Sequence, residues 1–404
     1  MEAFGPRLWI ILALSLGPAV SNSFARFAYA LVLPAMRADL GWNYSQAGWL
    51  NSANAIGYLA GAMFTVRYVS RAGNRRLFSV GMLVTAAALI GTGLTSEFVP
   101  MLGLRIIAGL AGAMVFICGG VLASNVYPDR PRLAPAAIAL YFGGAGVGIL
   151  LSGVGVPWLL EAGGNHSWPD AWLAIGVVSA LFAVLSILAA SKVEEPSSGA
   201  RRSPWRHDAF YASLASYFLF GAGYIAYMTF VVAWMKAHGA PALEVSVTWV
   251  ALGLATIFAP ILWRVPIGRW RGGKTLAAAS TLVSIGAAVP LFSTAFPAMV
   301  VSALLFGGGM FTAPAAVTTL VKKSLPKAAW GAAVAAFTVV FALGQSIGPI
   351  LTGWLADATS SLYAGLAGSA LILLLAGAVA LCQREIGDQP LRPATASGEP
   401  KGSQ

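Results

Sequence analysis

Twelve apolar stretches, each long enough to cross a lipid bilayer, follow one another along the chain at 8–34, 44–66, 77–95, 98–123, 133–160, 169–191, 209–235, 244–264, 275–293, 296–321, 329–355 and 360–382. A helix needs about 20 residues to cross ~30 Å of hydrocarbon. In lipid only helices and closed barrels satisfy every backbone N–H and C=O, and runs of this length select helices. The expected fold class is therefore an all-α polytopic membrane protein with twelve transmembrane helices. Hydrophobic residues make up 58% of the 404 positions and charged ones 10%, which leaves no soluble domain between the spans. Cys118 and Cys382 lie in or at the end of apolar runs without metal-ligand spacing, so they act as small hydrophobes and no metal or cofactor is expected.

A net charge of +11 would suggest nucleic acid for a soluble protein, but here the cations sit in short loops, where they set orientation. Of 25 Lys and Arg, 21 fall on one side of the membrane, and only Arg37 and Lys236 fall opposite. Both termini are thus expected in the cytoplasm, and the nucleic-acid reading falls. Arg7 ahead of an apolar run resembles a signal peptide; the run is too long and lacks a clear small-residue cleavage site, so it is kept as the first span.

The polar, basic, Pro/Ser-rich segment from Ser191 to Asp208 divides six spans from six. A shift of 198 positions places Phe98 on Phe296, Met101 on Met299, Gly109 on Gly307, Pro128 on Pro326, Gly146 on Gly344 and Gly155 on Gly353. A constant offset through several spans predicts two pseudo-symmetric six-helix bundles related by an axis along the membrane normal, with a site between them. The expected organisation is a bundle at 1–190, a cytoplasmic linker at 191–208, a second bundle at 209–383 and a disordered cytoplasmic tail at 384–404.

Within the spans only two cations remain, Arg26 and Arg105. A lone cation in hydrocarbon costs at least ~2.5 to 3.5 kcal/mol on insertion scales, so each must face protein or water. Two readings stand for each, a functional one and a structural one in which the guanidinium bonds to neighbouring backbone. The fourteen Asp and Glu all fall in loops, tails or span ends, and His166, His207 and His238 do likewise. An arginine pair without a carboxylate in the bilayer lacks protein counter-ions; an anionic substrate would supply the charge. The offset sends Arg26 to Ile225 and Arg105 to Ala303, so the expected site is asymmetric. The glycine clusters at 143–157 and 307–314 lack the flanking strand and Gly-Lys-Ser/Thr ending of a phosphate loop; small residues here permit close helix approach.

Three motifs carry a resemblance to the major facilitator superfamily. RYVSRAGNRR (Arg67 to Arg76) looks like that family's gating loop, matched at Arg71, Gly73 and Arg75, with Ser70 where an Asp is usual. LRIIAGLAGA (Leu104 to Ala113) is similar to its span-four arginine pattern, and GQSIGPILTGWLAD (Gly344 to Asp357) to the end of its span eleven. FARFAYALVLPAMRADLGW (Phe24 to Trp42) followed by QAGWLNSANAIGYLAGA (Gln46 to Ala62) resembles the YbfB/YjiJ-type branch of bacterial facilitators.

The resemblance implies an inner-membrane transporter in which spans 1, 4, 7 and 10 line a central cavity. Arg26 and Arg105 would then form a fork for a carboxylate or other oxyanion, since each guanidinium offers paired planar donors; arginine on span four is also linked in that family with proton coupling. Across from them the expected lining is Tyr224 and Tyr227 on span 7, Asn51 and Asn54 on span 2, Tyr141 on span 5 and Gln345 on span 11. The alternative is that the amides glue helices together and the tyrosines fill the interior, most of all for Asn22, Tyr29 and Tyr58. The expected function is secondary active transport of a small organic anion by a monomer in the bilayer; the rival is efflux of drugs or lipophilic compounds through an apolar pouch. No Ser/His/Asp, Cys/His or metal-ligand cluster converges in the spans, so no enzyme is expected.

Overall fold

The computed structural model describes residues 5–195, 207–326 and 329–386. Among them twelve long helical rods follow in order: α1 (Leu8–Leu40), α2 (Tyr44–Ala72), α3 (Asn74–Gly93), α4 (Phe98–Ser124), α5 (Ala134–Gly163), α6 (Trp168–Ala190), α7 (Tyr211–Ala237), α8 (Ala242–Leu262), α9 (Lys274–Phe292), α10 (Phe296–Ser324), α11 (Trp330–Thr359) and α12 (Leu362–Leu381). Eleven of them are long and apolar enough to cross a membrane. The twelfth, α2, has the length, 29 residues or roughly 43 Å at the α-helical rise, but carries Asn51, Ser52 and Asn54 in its middle and Arg67 and Arg71 at its end. It tolerates them because protein flanks it, α4 on one side and α11 on the other.

The packing repeats between halves. In the first bundle α2 lies on α4, α3 on α4 and α6, and α1 on α5 and α6; in the second α8 lies on α10, α9 on α10 and α12, and α7 on α11 and α12. Between bundles the pairs are α2 with α11, α5 with α8, and α1 with α7, each related to its counterpart by the same two-fold. This is the pseudo-symmetric architecture expected from the 198-residue offset. Residues 196–206 of the linker and 387–404 of the tail lie outside the described residues.

Local sequence explains the joints. Gly41 takes φ +66° to end α1, and Asn43 with Gln46 forms a reciprocal capping box that starts α2 three residues later. Glycine also sets the α2–α4 spacing: a methyl at Gly57 would run into the Ile106 carbonyl, and one at Gly109 into that of Asn54. In α10 the helix is interrupted at Phe311, where the ring of Pro314 cannot sit behind the Met310 carbonyl in a regular turn.

The outer surface is apolar, as lipid requires. Leu181, Leu185 and Leu188 on α6 and Leu371, Leu374 and Leu375 on α12 are 47–61% exposed. In contrast, α1 is buried without a break from Gly17 to Leu33 and α7 from Phe220 to Met235. These two runs form the axis of the molecule.

Candidate functional site

Arg26 sits in the axial run, inside a π-helical stretch of α1, Ala19–Phe27, in which the Ala28 N–H reaches back five residues to Ser23 O at 2.7 Å. Such widened turns are frequent at functional sites. The side chain is 3% exposed, and its Nε and Nη2 are buried without a hydrogen-bond partner. The Tyr58 ring of α2 lies 5.9 Å below the guanidinium carbon. On the other bundle, Tyr224 of α7 lies within its electrostatic reach.

Arg105 has a different setting. Its Nη2 donates to Ala25 O at 2.6 Å, and the guanidinium carbon stands 4.8 Å from the Trp172 ring and 5.4 Å from that of Tyr29. It is wholly buried between α1, α4 and α6, with Nε and Nη1 unpartnered. The two arginines are thus neighbours along α1, one bound to the carbonyl just before the other.

The remaining sequence-predicted residues separate into two groups. Asn51 crosses the interface, donating from Nδ2 to Thr229 Oγ1 at 2.5 Å, and Gln345 Nε2 donates to the Tyr224 hydroxyl. Both keep a buried amide oxygen unpaired. Asn54 donates to Arg105 O at 3.2 Å, Tyr141 to Val115 O at 2.8 Å, and Tyr227 shares a 2.5 Å hydrogen bond with Ser302 while its ring stacks on Phe306 at 4.3 Å. These three are engaged inside their own bundles. Arg26, Tyr58, Tyr224, Asn51 and Thr229 are brought to the bundle interface, and Gln345 backs Tyr224 from within its own bundle. Sequence reasoning missed Thr229 and Trp172, and ranked Tyr58 low; the cue for Tyr58 was its place one helical turn after Asn54 on a span already suspected of facing inward.

The face of the molecule away from the described chain ends is closed by carboxylates. Asp357, at the end of α11, accepts from Tyr44 N and Ser45 N, both at 2.8 Å, and from Ser45 Oγ at 2.6 Å. Glu161, at the end of α5, accepts from Ala242 N at 3.1 Å. Tyr44 and Ala242 are 198 positions apart, so the two caps are pseudo-symmetric, each placing an anion on the positive end of a helix from the other bundle. Tyr44 also meets Phe230 edge-on at 6.0 Å.

At the opposite face lies the segment from Arg67 to Arg76, expected from its sequence to be a gating loop. Gly73 takes φ +79° between α2 and α3, and Arg75 Nη2 donates to Val193 O at 2.7 Å. Arg71 is exposed. Ser70 offers no carboxylate; Glu195 provides one from beyond α6, accepting from Asn74 N, from Asn74 Nδ2 at 3.0 Å and from Arg75 N at 3.1 Å. Partial burial pushes the Glu195 carboxyl up, but these hydrogen bonds and the Arg75 charge outweigh it and hold the group below the usual carboxylate range.

The fold is shared with solved transporters. A bacterial homologue of the human lysosomal transporter Spinster, in an inward-facing and occupied conformation, superimposes with a TM-score of 0.71 at 16% identity, over 93% of this chain and 96% of that one. The nucleoside transporter NupG gives 0.67 at 12% identity, over 93% and 98%. These likenesses and the two-fold packing define the class as a polytopic membrane protein of the major facilitator fold. Within that class, the chain belongs to the family described as the uncharacterised MFS-type transporter YbfB, whose pattern it matches over residues 19–381, a family of transporters and not of enzymes. An uncharacterized MFS-type transporter of Yersinia pestis (strain Pestoides F) is 29% identical over 143 residues, 35% of this chain and 37% of that protein. The transporter YcaD of Salmonella arizonae is also 29% identical over 143 residues, 35% of each. The chain spans about a third of the length of the curated relatives it matches.

Proposed function

We propose that the chain moves a small organic anion across the bacterial inner membrane by alternating access, with Arg26 holding the acid group at the bundle interface. One observation carries the reading: Arg26 is a cation 3% exposed, with two guanidinium nitrogens that find no partner in the protein. A buried charge left unpaired is costly, and an anion that supplies both hydrogen bonds and charge removes that cost on binding. Arg105 acts beside it, pinning the widened turn of α1 through the Ala25 carbonyl so that Arg26 points at the interface. The arrangement of closed caps at one face, with positive loops concentrated at the other, supports a conformation shut toward the periplasm, both termini lying in the cytoplasm.

The test is thermal shift of the purified protein against small anions, neutrals and cations, beside Arg26→Gln, followed by flux of the best ligand into proteoliposomes. Stabilisation follows RT ln(1 + [L]/Kd), so even ~mM ligands register at high concentration. Anions alone should stabilise the wild type, and Arg26→Gln should lose both the shift and the flux. If lipophilic neutrals or cations shift both proteins equally, the anion reading is wrong and efflux of apolar compounds replaces it.

A further inference from the structure

Aromatic rings flank Arg26 on both sides of the bundle interface. On the α2 side, Tyr58 meets Phe116 edge-on at 6.4 Å, and Phe116 packs on Phe142 at 4.6 Å. On the α7 side, Tyr224 lies parallel to Phe220 at 5.4 Å and 8°, and to Phe341 at 5.6 Å and 9°. Tyr58, Phe116, Phe142 and Phe341 are each only half-buried, and of these the Tyr58 ring lies under the cation. Beyond the rings, Gln345 is wholly buried and leaves Oε1 without a donor.

Packing alone would close such groups. Tyr227 shows the closed form, its hydroxyl satisfied by Ser302 and its ring covered by Phe306, and Tyr224 is closed likewise, its hydroxyl accepting from Gln345 and its ring lying against Phe220 and Phe341. Around Arg26 three features coincide instead, a cation without a counter-ion, the half-buried rings of Tyr58 and Phe341, and an amide acceptor without a donor. We infer that the site takes a planar aromatic carboxylic acid with a hydrogen-bond donor, a hydroxyl or amine, at the end away from the carboxylate. The carboxylate pairs with the Arg26 fork, the ring lies against Tyr58 and Phe341, and the donor reaches Gln345 Oε1. This rests on Arg26 holding the acid, and it narrows the anion from any small acid to an aromatic one.

The experiment compares binding of benzoate, para-hydroxybenzoate and cyclohexanecarboxylate to the full-length protein in detergent, three monoanions of nearly equal size. Benzoate should bind about tenfold tighter than the saturated acid, the return expected from flanking aromatic pairs, and para-hydroxybenzoate tighter still. Tyr58→Leu and, independently, Phe341→Leu should bring benzoate toward the affinity of cyclohexanecarboxylate; Gln345→Leu should remove only the gain from the hydroxyl. Circular dichroism checks that each variant is folded. Equal affinity of the aromatic and saturated acids for the wild type overturns the inference and leaves the Arg26 anion site standing. Failure of all three acids to bind overturns the inference, and the Arg26 anion site falls with it only when no small anion shifts the wild type.

Discussion

The Asp357 carboxylate and the Tyr44 amide, 313 positions apart, meet at 2.8 Å and join the last turn of α11 to the first turn of α2. With the Ser45 amide and hydroxyl on its second oxygen, Asp357 satisfies three donors of a helix start that has no carboxylate of its own. The counterpart, Glu161 on Ala242, has a single bond. The α2–α11 cap is the stronger of the pair.

Asp357→Asn keeps the shape but removes the charge and one acceptor, at a cost of about 1.5 to 3 kcal/mol for hydrogen bonds to a charged group. A cysteine introduced at the buried Ser52 position, in a Cys382→Ser background, should react faster with a membrane-impermeant thiol reagent added from the capped face when Asp357→Asn is present. Unchanged labelling would show that the cap does not hold the face shut.

The two span arginines should separate on ligand-free stability. Arg105 has a backbone acceptor and two aromatic neighbours, so Arg105→Gln should lower Tm, by a loss of roughly 2 to 3 kcal/mol. Arg26→Gln removes a buried cation without hydrogen bonds on Nε and Nη2 and should leave Tm at or above the wild-type value. Equal destabilisation by both would mean that Arg26 is structural.

Gly57→Ala and Gly109→Ala each place a methyl against the backbone of the facing helix. Backbone cannot rotate away as a side chain can, so α2 and α4 must part, at a cost of about 1 to 3 kcal/mol. Gly155, at the α5 position with open space around it, should accept Ala without loss. Thermal unfolding of the three variants in one detergent checks the order.

The pH dependence of the loop between α2 and α3 follows from Glu195. Its carboxyl is held below the ordinary value, so its contribution to stability is present above the unfolded-state value of about 4.3 and is lost as pH falls through the lower, folded-state value. Between about pH 7 and pH 5.5, wild type minus Glu195→Gln should show a constant advantage in Tm; below about pH 5 the gap should close progressively. A gap that widens on acidification would contradict the assignment.

The sequence made the rods, their order and their repeat legible, because apolar length and a constant offset are one-dimensional properties. Arg26 stood out for the same reason. The destination of Arg105 was not legible: Trp172 lies 67 positions downstream and nothing local links them. Nor could the chain order reveal that Glu195 supplies the carboxylate which Ser70 lacks, or that Tyr227 turns toward Ser302 while Tyr224, one turn earlier, turns to Gln345. Span 2 illustrates the converse: its amides weaken the apolar signal, and the flanking α4 and α11 explain why it is a span regardless.

The widened stretch of α1 adds a freedom that rocking of rigid bundles does not have. A turn closed by a five-residue reach holds one residue more than the α form, and each residue of an α-helix advances the azimuth by about 100°. Rewinding one turn within Ala19–Phe27 would therefore swivel the guanidinium by a little over a quarter circle about the helix axis, with the bundles standing still. Orientation of the cation and tilt of the bundles are two separate coordinates, and a ligand that fixes the first need not have completed the second.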